Sequence, residues 1–477
     1  MDPSAILERL RAAYLREAIP TATRRRELLA RLREGLLERQ EAIAAAISLD
    51  FSNRARQESQ LGDLFPTIAA IDHLSRHLGR WMRPESRPVR QLFRPGQAWV
   101  EYQPLGVVGV IAPWNYPLSL ALIPVATALA AGNRVMLKPS EFTPATSALM
   151  AEMLAKLFPD DLVAVVTGDA AVGAAFAALP FDLLCFTGST SVGRSVMKAA
   201  SEHLVPVLLE LGGKSPAIVD SGYSLDKAAK SIAFGKLFNA GQTCLAPDYA
   251  LVPEKEAQAF VDRFMARANA MYPEWWSNPD YAAVISQKHL DRLWKLVDDA
   301  LTKGARVLEV GAKPATTGRT GRKFPPTVLL KVTDEMTVMQ DEIFGPILPV
   351  RTYRTLEEVV SYINLRPSPL AVYYFGHDRQ RQRDILSHTR SGGVTVNDVA
   401  LHYFQDALPF GGIGASGMGR YHGVEGFRQF SHQKAIFRQS RINGAGLLQP
   451  PYGKVFDFVM RRLIKPKGEG RKEKGEK

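Results

Sequence analysis

The stretch VVGVIAPWNYPLSLALIPVATALAAGNRVMLKPS, residues 107–140, decides the fold. It opens with an apolar run, passes through a loop framed by Pro113 and Pro117, and continues into an apolar segment of helical length. A second apolar run, Arg134–Leu137, follows a glycine and an asparagine. Two short strands joined by a helix form a βαβ unit, whose parallel strands are buried on both faces. The stretch therefore predicts an open parallel sheet that binds ligands at the carboxyl ends of its strands.

Helical patterns and short apolar runs also occur on both sides of this unit. Upstream, the chain to about His77 is helical in pattern, and Trp99–Gln103 alternates like a strand. Further apolar runs continue a first block to about Gly212 and recur in a second block to about Ala400. These runs are 162–167, 183–186 and 207–211 in the first block, and 217–219, 249–252, 347–351 and 393–397 in the second. The pattern predicts an α/β fold with helix-covered parallel sheets.

Size and composition are those of a globular protein with more than one domain. The chain has 477 residues, of which 46% are apolar and 23% charged, so it is too long for one ordinary core. Only two cysteines occur, which excludes a disulfide framework and favours the cytoplasm. Met1–Arg11 lacks the apolar segment of a secretory signal, and Leu118–Ala131 is too short to cross a bilayer.

The net charge of +12 does not indicate a nucleic-acid partner, because it is concentrated at the carboxyl end. Arg461–Lys477 holds eight Lys or Arg and three Glu, which is +5 of the total. We therefore expect residues 466–477 to form a disordered basic tail.

Cys244 is the best single indication of chemistry. It ends the sequence NAGQTC, residues 239–244, where a Gly-Gln-Thr turn lets the backbone approach a ligand. A cysteine nucleophile needs a base or a field that stabilises its thiolate. No histidine stands in a cysteine-hydrolase signature, and His73 and His77 lack the glutamate of a zinc motif, so we expect no metal. Cys185 lies inside an apolar run and is interpreted as structural.

Two strand ends carry further candidates. Glu210 closes the apolar run Val207–Leu209, and a charge that ends a buried strand is costly unless it is paired, hydrated or functional. The loop IAPWNYP, residues 111–117, presents Trp114 and Asn115 at the carboxyl edge of the sheet. An asparagine amide at this position can donate to a developing oxyanion.

Two further loops are suited to a nucleotide. Lys138-Pro-Ser-Glu141 follows the second strand, and its lysine and glutamate can meet ribose or phosphate oxygens. Gly188–Gly193, GSTSVG, lies between a strand and a helix, whose first N–H groups are free to bind phosphate. Neither loop is specific alone.

Together these pieces resemble the aldehyde dehydrogenase superfamily. The resemblance covers roughly Arg94–Phe437. It is carried by motifs in the family's order: PWNYP at 113–117, KPSE at 138–141, FTGST at 186–190, LELGG at 209–213, GQTC at 241–244, EIFGP at 342–346 and PFGG at 409–412. CLAPDY at 244–249 and SGMGRYH at 416–422 resemble the class 3 branch, and within it bacterial enzymes that act on coniferyl aldehyde.

The resemblance implies an aldehyde dehydrogenase-like fold in three parts. The dinucleotide-binding domain would comprise residues 1–85 and 105–211, and the catalytic domain residues 212–400. A small bridging β arm for oligomerisation, residues 86–104 and 430–445, would pair with a second subunit, which predicts a homodimer.

The resemblance also assigns roles to the candidates. Cys244 would attack the aldehyde carbon, Asn115 and the N–H of Cys244 would hold the oxyanion, and Glu210 would activate the water that releases the acid. NAD would be the cofactor, with some use of NADP. The residues implied to bind it are Ile111, Trp114, Lys138, Glu141, Gly188, Ser189, Gly193, Glu342 and Phe344. A second base is left unassigned, because Val424 stands where many tetrameric relatives carry an acidic residue.

The expected substrate is an apolar, aromatic aldehyde of the coniferyl type. Bulky apolar or aromatic residues are expected beside Cys244, namely Tyr116, Leu118, Leu245, Tyr403 and Phe404. A medium- or long-chain aliphatic aldehyde, a coenzyme A-acylating dehydrogenase, a cysteine esterase and a non-catalytic role remain alternatives. The apolar face of 455–463 is interpreted as packing within the dimer, with contact to a membrane surface as the alternative.

Overall fold

The computed structural model describes residues 2–311 and 321–464. The predicted basic tail, 466–477, lies outside the described residues. The chain divides into a large unit, Met1–Trp81 with Pro104–Ser431, and a small unit, Met82–Gln103 with His432–Lys477.

Helices occur along the whole described chain. They are α1 Pro3–Arg16, α2 Ala22–Glu38, α3 Gln40–Phe51, α4 Arg56–Ser59, α5 Phe65–Trp81, α6 Ser119–Ala131, α7 Pro144–Leu157, α8 Ala170–Ala177, α9 Thr190–Ser201, α10 Leu225–Leu237, α11 Ala257–Met271, α12 Gln287–Thr302, α13 Thr337–Gln340, α14 Leu356–Asn364, α15 Arg379–His388, α16 Gly423–Gln429 and α17 Lys454–Leu463. None of the helices in the described part of the chain combines the length and apolar character needed to cross a membrane.

The strands belong to three sheets. They are β1 Glu85–Arg87, β2 Gln97–Pro104, β3 Val107–Ile111, β4 Arg134–Lys138, β5 Val163–Val165, β6 Leu183–Thr187, β7 Val207–Glu210, β8 Pro216–Val219, β9 Tyr249–Pro253, β10 Arg306–Glu309, β11 Thr327–Leu330, β12 Ile347–Tyr353, β13 Ala371–Phe375, β14 Gly393–Val396, β15 Gly417–Met418 and β16 Ser431–Arg438.

The first sheet of the large unit has the order β15-β7-β6-β3-β4-β5, and all its strands except β15 are parallel. Two of its helices, α8 and α9, begin with a side-chain cap. Ser189, for example, accepts from the N–H of Val192 at the start of α9. The buried apolar strands and the all-buried α6 confirm the predicted βαβ unit.

The second sheet of the large unit has the order β10-β11-β12-β9-β8-β13-β14, with β10 antiparallel. Its core lies between β8, β9, β12 and β13 and the helices α12 and α14. The predicted α/β class with parallel sheets is therefore confirmed. Strand β13, which lies between β8 and the edge strand β14, was not predicted from its sequence, AVYYF, and neither was β15, which adds to the first sheet from a distant part of the chain.

The small unit contains the three-stranded sheet β1-β2-β16. Glu85 pairs with Val100 in the antiparallel β1–β2 ladder, and Tyr102 donates to Glu85 at 2.9 Å. Helix α17 has no buried residue, and its Val455, Phe458 and Leu463 are exposed.

Candidate active site

A cavity of about 1090 Å3 in the large unit brings together residues that lie far apart in the sequence. Cys244, Glu210 and Asn115 all line it. Asn115 follows β3 and Glu210 ends β7, so both side chains come from the carboxyl edge of the first sheet, where open α/β sheets bind ligands.

The loop before Cys244 contains three consecutive residues with positive φ. Asn239 and Ala240 adopt left-handed conformations with φ of 53° and 50°, and Gly241 follows with φ of 73°. A Cβ at Gly241 would lie 2.3 Å from the carbonyl oxygen of Gly345, so the position requires glycine. These turns leave Cys244 half-buried on the cavity wall.

Gln242 holds this loop against its surroundings. Its Nε2 donates to the carbonyl oxygens of Asn239, at 2.9 Å, and Ala283, at 3.0 Å, and its Oε1 accepts from the N–H of Ile285 at 2.9 Å. The fully buried amide is thus satisfied by backbone alone, which fixes the approach to Cys244.

Glu210 is a buried carboxylate without support from the protein. It is 3% exposed, and neither carboxylate oxygen has a hydrogen-bond partner among the described residues. Burial raises the pKa of Glu210 well above its usual range, against the opposing effect of Arg420. A carboxyl group held in this way is a stronger base than one in water, and its natural partner is a molecule in the cavity.

Burial also affects the thiol of Cys244. Burial, and then the carboxylates of Glu342 and Glu210, raise the pKa of Cys244 to about 12. The resting group is therefore a protonated thiol at neutral pH, and forming the thiolate requires a proton acceptor or a nearby positive charge.

Glu342 lies on the loop between α13 and β12. Burial, and next the charge of Asp248, raise the pKa of Glu342 to about 8, while a hydrogen bond from the N–H of Gly213 opposes this. A Cβ at Gly212 would lie 2.0 Å from Glu342 Oε2, so the Glu342 carboxylate lies directly against the backbone of Gly212. Lys214 holds the loop by donating to the carbonyl oxygen of Asp341 at 2.9 Å.

Aromatic packing joins this loop to the end of β3. Phe344, with φ of 49°, places its ring 5.3 Å from that of Trp114 in a T-shaped arrangement. Trp114 also lies 5.0 Å from His289. Trp114 and Phe344 line the cavity, as the roles expected from the sequence require.

The predicted nucleotide-binding residues divide into two groups. Trp114, Gly188, Ser189, Glu342 and Phe344 line the cavity. Ile111, Lys138, Glu141 and Gly193 do not appear in its lining. Gly193 is buried against Leu211, and a Cβ there would lie 2.6 Å from Leu211 Cδ2, which indicates close packing of α9 on the sheet. Lys138 lies at the end of β4, and its ammonium is 2.9 Å from Glu141 Oε2.

Of the five predicted substrate residues, one lines the cavity. Tyr403 lines the cavity, but Tyr116, Leu118, Leu245 and Phe404 do not. Leu118 and Leu245 are buried in the core. Tyr116 contacts Thr243 Oγ1 through its hydroxyl at 2.5 Å. The ring of Phe404 lies 6.4 Å from that of Phe65.

Leu120, Phe410 and Tyr421 form part of the wall instead, and sequence reasoning missed them. Phe410 and Tyr421 stand inside or beside motifs that were recognised, PFGG and SGMGRYH, but no role was given to either. The rings of Tyr403 and Phe410 lie 5.0 Å apart, and those of Phe410 and Tyr421 lie 5.9 Å apart. Within residues 2–311 and 321–464, no group of three or more His, Cys, Asp or Glu could hold a metal ion.

The class of the protein follows from comparison with known proteins. The chain belongs to the aldehyde dehydrogenase family, whose model matches residues 5–436. It is therefore an oxidoreductase of that family.

Two of the similar proteins carry coniferyl aldehyde dehydrogenase in their names. The chain is 50% identical to a probable coniferyl aldehyde dehydrogenase of Pseudomonas aeruginosa, with 96% of each chain covered. It is 46% identical to the coniferyl aldehyde dehydrogenase of Pseudomonas sp. strain HR199, over 96% of this chain and 95% of that one.

Two solved structures are also similar to this chain. Staphylococcus aureus AldH in a substrate-bound state superposes with a TM-score of 0.91 at 33% identity, covering 96% of this chain and 99% of that one. An NAD+ complex of a Bacillus cereus aldehyde dehydrogenase gives a TM-score of 0.83 at 27% identity, covering 92% and 89%. NAD use is thus a property found in the family.

Proposed function

We propose that this enzyme oxidises an apolar, aromatic aldehyde of the coniferyl type to its carboxylic acid, with NAD as cofactor and Cys244 as nucleophile. The observation that carries the proposal is one cavity in which Cys244, Glu210 and Asn115 meet a wall of aromatic side chains. The names of the two Pseudomonas relatives support the choice of coniferyl aldehyde.

The first half-reaction uses Cys244 and Asn115. Cys244 releases its thiol proton to solvent as its sulfur bonds to the carbonyl carbon. The C=O π electrons move to the oxygen, which the Asn115 amide and the N–H of Cys244 stabilise, and the product is a thiohemiacetal. Loss of hydride from that carbon leaves a thioester on Cys244. Because burial disfavours any uncompensated charge here, these two donors contribute most when the oxygen is negative.

The second half-reaction uses Glu210. Its unpartnered carboxylate accepts a proton from water, and the oxygen of that water attacks the thioester carbon. The C–S bond breaks, the acid leaves and Cys244 returns as a thiol. Burial raises the pKa of Glu210 above its usual range, which makes the ionised carboxylate a stronger base for this proton transfer.

The residues present fit a nicotinamide dinucleotide. The capped N-terminus of α9 at Ser189 supplies N–H groups for the pyrophosphate, and Lys138 and Glu141 at the end of β4 meet the adenosine ribose. Glu342 and Phe344 would hold the nicotinamide end, beside Trp114. When bound, the nicotinamide supplies the hydride acceptor for the oxidation. Some use of NADP belongs to the same proposal.

Three of the four Lys and Arg side chains that line the cavity are engaged by the protein, and the fourth is Arg194 on α9. Lys214 is paired with Asp248, and Arg366 with Asp334. Arg292 donates to the carbonyl oxygens of Glu342 and Ile343. Their charges are thus engaged in holding the protein, which favours an uncharged aldehyde whose buried carbons each contribute about 0.8 kcal/mol.

An aldehyde panel tests this proposal. We expect kcat/KM, scored by cofactor reduction, to be higher for coniferyl aldehyde and benzaldehyde than for octanal, and lowest for succinic semialdehyde. Cys244→Ser should abolish turnover but keep cofactor binding, whereas Cys185→Ala is the matched control that keeps turnover. A tenfold preference for succinic semialdehyde, about 1.4 kcal/mol in the transition state, would contradict the apolar site. A preference for octanal would remove only the aromatic part.

Two sequence-based expectations remain proposals. The enzyme would act in the cytoplasm, for which the low cysteine content is the support. It would be a homodimer, for which the resemblance is the support. Sedimentation of the purified protein tests the second.

A further inference from the structure

The oxyanion loop, Pro113–Pro117, and the nucleophile loop, Phe238–Cys244, meet at one backbone oxygen. The carbonyl oxygen of Asn115 accepts from Asn239 Nδ2 at 3.0 Å and from Arg54 Nη1 at 3.0 Å. Both donors are buried with it. The peptide that follows the Asn115 side chain is therefore fixed from two directions, one of which is the nucleophile loop itself.

Arg54 also forms an ion pair with Asp63. Its guanidinium is fully buried, with Nη2 3.1 Å from Asp63 Oδ2 and its central carbon 4.8 Å from the centre of the Tyr116 ring. Only a planar, forked cation can face a carbonyl oxygen and a carboxylate together while stacking on a ring. The compact ammonium of lysine cannot reproduce this arrangement.

Asp63 continues the contact to the far side of the oxyanion loop. Its Oδ1 accepts from the N–H groups of Leu118, at 3.0 Å, and Ser119, at 3.1 Å, where α6 begins. The Arg54–Asp63 pair therefore holds the oxyanion loop at Asn115 and again just after Pro117.

Asn239 is fixed as firmly on the other loop. Its N–H donates to Glu58 Oε1 at 3.1 Å, and the hydroxyl of Tyr272 approaches the same oxygen at 3.4 Å. The bond from Asn239 to the Asn115 carbonyl thus joins two rigid segments.

We propose that Arg54 is a positioning residue for the oxidation: through the carbonyl of Asn115 and the carboxylate of Asp63, it sets the Asn115 amide at the right distance from the sulfur of Cys244. The inference rests on the proposed function, in which Asn115 is the oxyanion donor. Arg54 itself does not line the cavity, so its effect passes through Asn115.

Arg54→Lys tests this against a matched control. Arg25 is equally buried and donates to the carbonyl oxygens of Pro20 and Ala130, away from the cavity. Both replacements exchange a buried arginine for lysine and should lower the melting temperature. Only Arg54→Lys should lower kcat, by about 10–100-fold, since small displacements of a reacting group have effects of that size. The affinity for NADH, measured by fluorescence titration, should stay within about twofold, an energy difference of about 0.4 kcal/mol.

A double-mutant cycle identifies the route of the effect. In the Asn115→Ala background, which should itself lose about 10²–10³ in kcat, Arg54→Lys should have little further effect, because the group it positions is gone. If the two losses multiply, or if Arg25→Lys lowers kcat as much, the inference is wrong. Asn239→Asp, which removes the other donor to the same carbonyl, should show the same loss and the same dependence on Asn115.

The two failures can be distinguished. If the unmodified enzyme oxidises no aldehyde, or Asn115→Ala leaves kcat unchanged, the proposed function fails and the inference with it. If Asn115→Ala slows the enzyme but folded Arg54→Lys and Asn239→Asp do not, the proposed function stands and the role of Arg54 is overturned.

Discussion

At the scale of single residues, Cys244 and Glu210 pose one electrostatic problem. Burial raises the pKa of the thiol to about 12 and that of the carboxyl well above its usual range, so neither carries a charge readily. Each carboxylate nearby also disfavours the thiolate. A standing ion pair between the two groups is therefore not expected, and the proposed cycle needs Glu210 ionised only when it accepts the proton of the attacking water.

Replacing Glu210 by glutamine should separate the two half-reactions. The amide cannot accept a proton, so hydrolysis of the thioester should slow more than its formation. We expect a burst of reduced cofactor equal to the enzyme concentration, followed by slow turnover, in stopped-flow absorbance. Cys244→Ser is the control and should give no burst. Equal losses in the burst and the steady state would show that Glu210 does not activate the water.

At the scale of elements, the loop after β4 bears on cofactor choice. Glu141 lies beside Lys138, with 2.9 Å between their charged atoms. In the proposed cofactor site this carboxylate would repel a 2′-phosphate and at the same time neutralise the ammonium that would attract it.

Glu141→Gln should therefore raise the ratio of kcat/KM with NADP to that with NAD, by roughly tenfold, or about 1.4 kcal/mol. The control is Glu152→Gln on α7, which breaks a Lys–Glu pair of 2.6 Å with Lys156 away from the cavity. It should leave the ratio unchanged. An unchanged ratio in Glu141→Gln as well would exclude Glu141 as the discriminator.

The elements also show what a sequence can predict. The parallel strands of the first sheet were predictable, because short apolar runs bounded by turns are typical of strands buried in a parallel sheet. Ala371–Phe375 has the same character but was not singled out between Pro369 and Gly376. Gly417–Met418 could not be predicted at all, since two residues carry no period and the strand exists only through its pairing with Leu209 and Glu210.

For the site, too, some features could be predicted from the sequence and others could not. Motif residues such as Cys244 and Phe344 reached the cavity wall, because their loops are short and fixed at strand ends. Which side chain of a loop faces the cavity was harder to infer. Leu118 is buried in the core whereas Leu120, two residues further, lines the cavity. That difference depends on how α6 is rotated, which its all-apolar sequence does not reveal.

At the scale of the whole molecule, buried carboxyl groups tie stability to pH. Burial raises the pKa of Glu58 to about 7 and that of Glu342 to about 8, from an ordinary value of 4.5. Between pH 4.5 and these values the folded protein retains protons that the unfolded chain has released. The free energy of unfolding therefore falls as the pH rises through this window.

We expect the melting temperature to decrease from pH 5 to pH 8, and to decrease less in Glu342→Gln, whose side chain does not titrate. Glu309→Gln, at an exposed position on β10, is the control and should follow the unmodified enzyme. Scanning calorimetry across the window measures this. A slope that is the same in Glu342→Gln would mean that Glu342 is already ionised in the folded protein.

The pairing of β15 with β7 has a consequence for the growing chain. Its two partners are separated by about 200 residues, which a ribosome adds at about 5–20 residues per second, so Glu210 waits roughly 10–40 s for Gly417. Until then the edge of the first sheet is open, and water surrounds the carboxylate. Glu210 therefore cannot reach the paired, buried position that it has in the folded protein before residues 417–418 have been made.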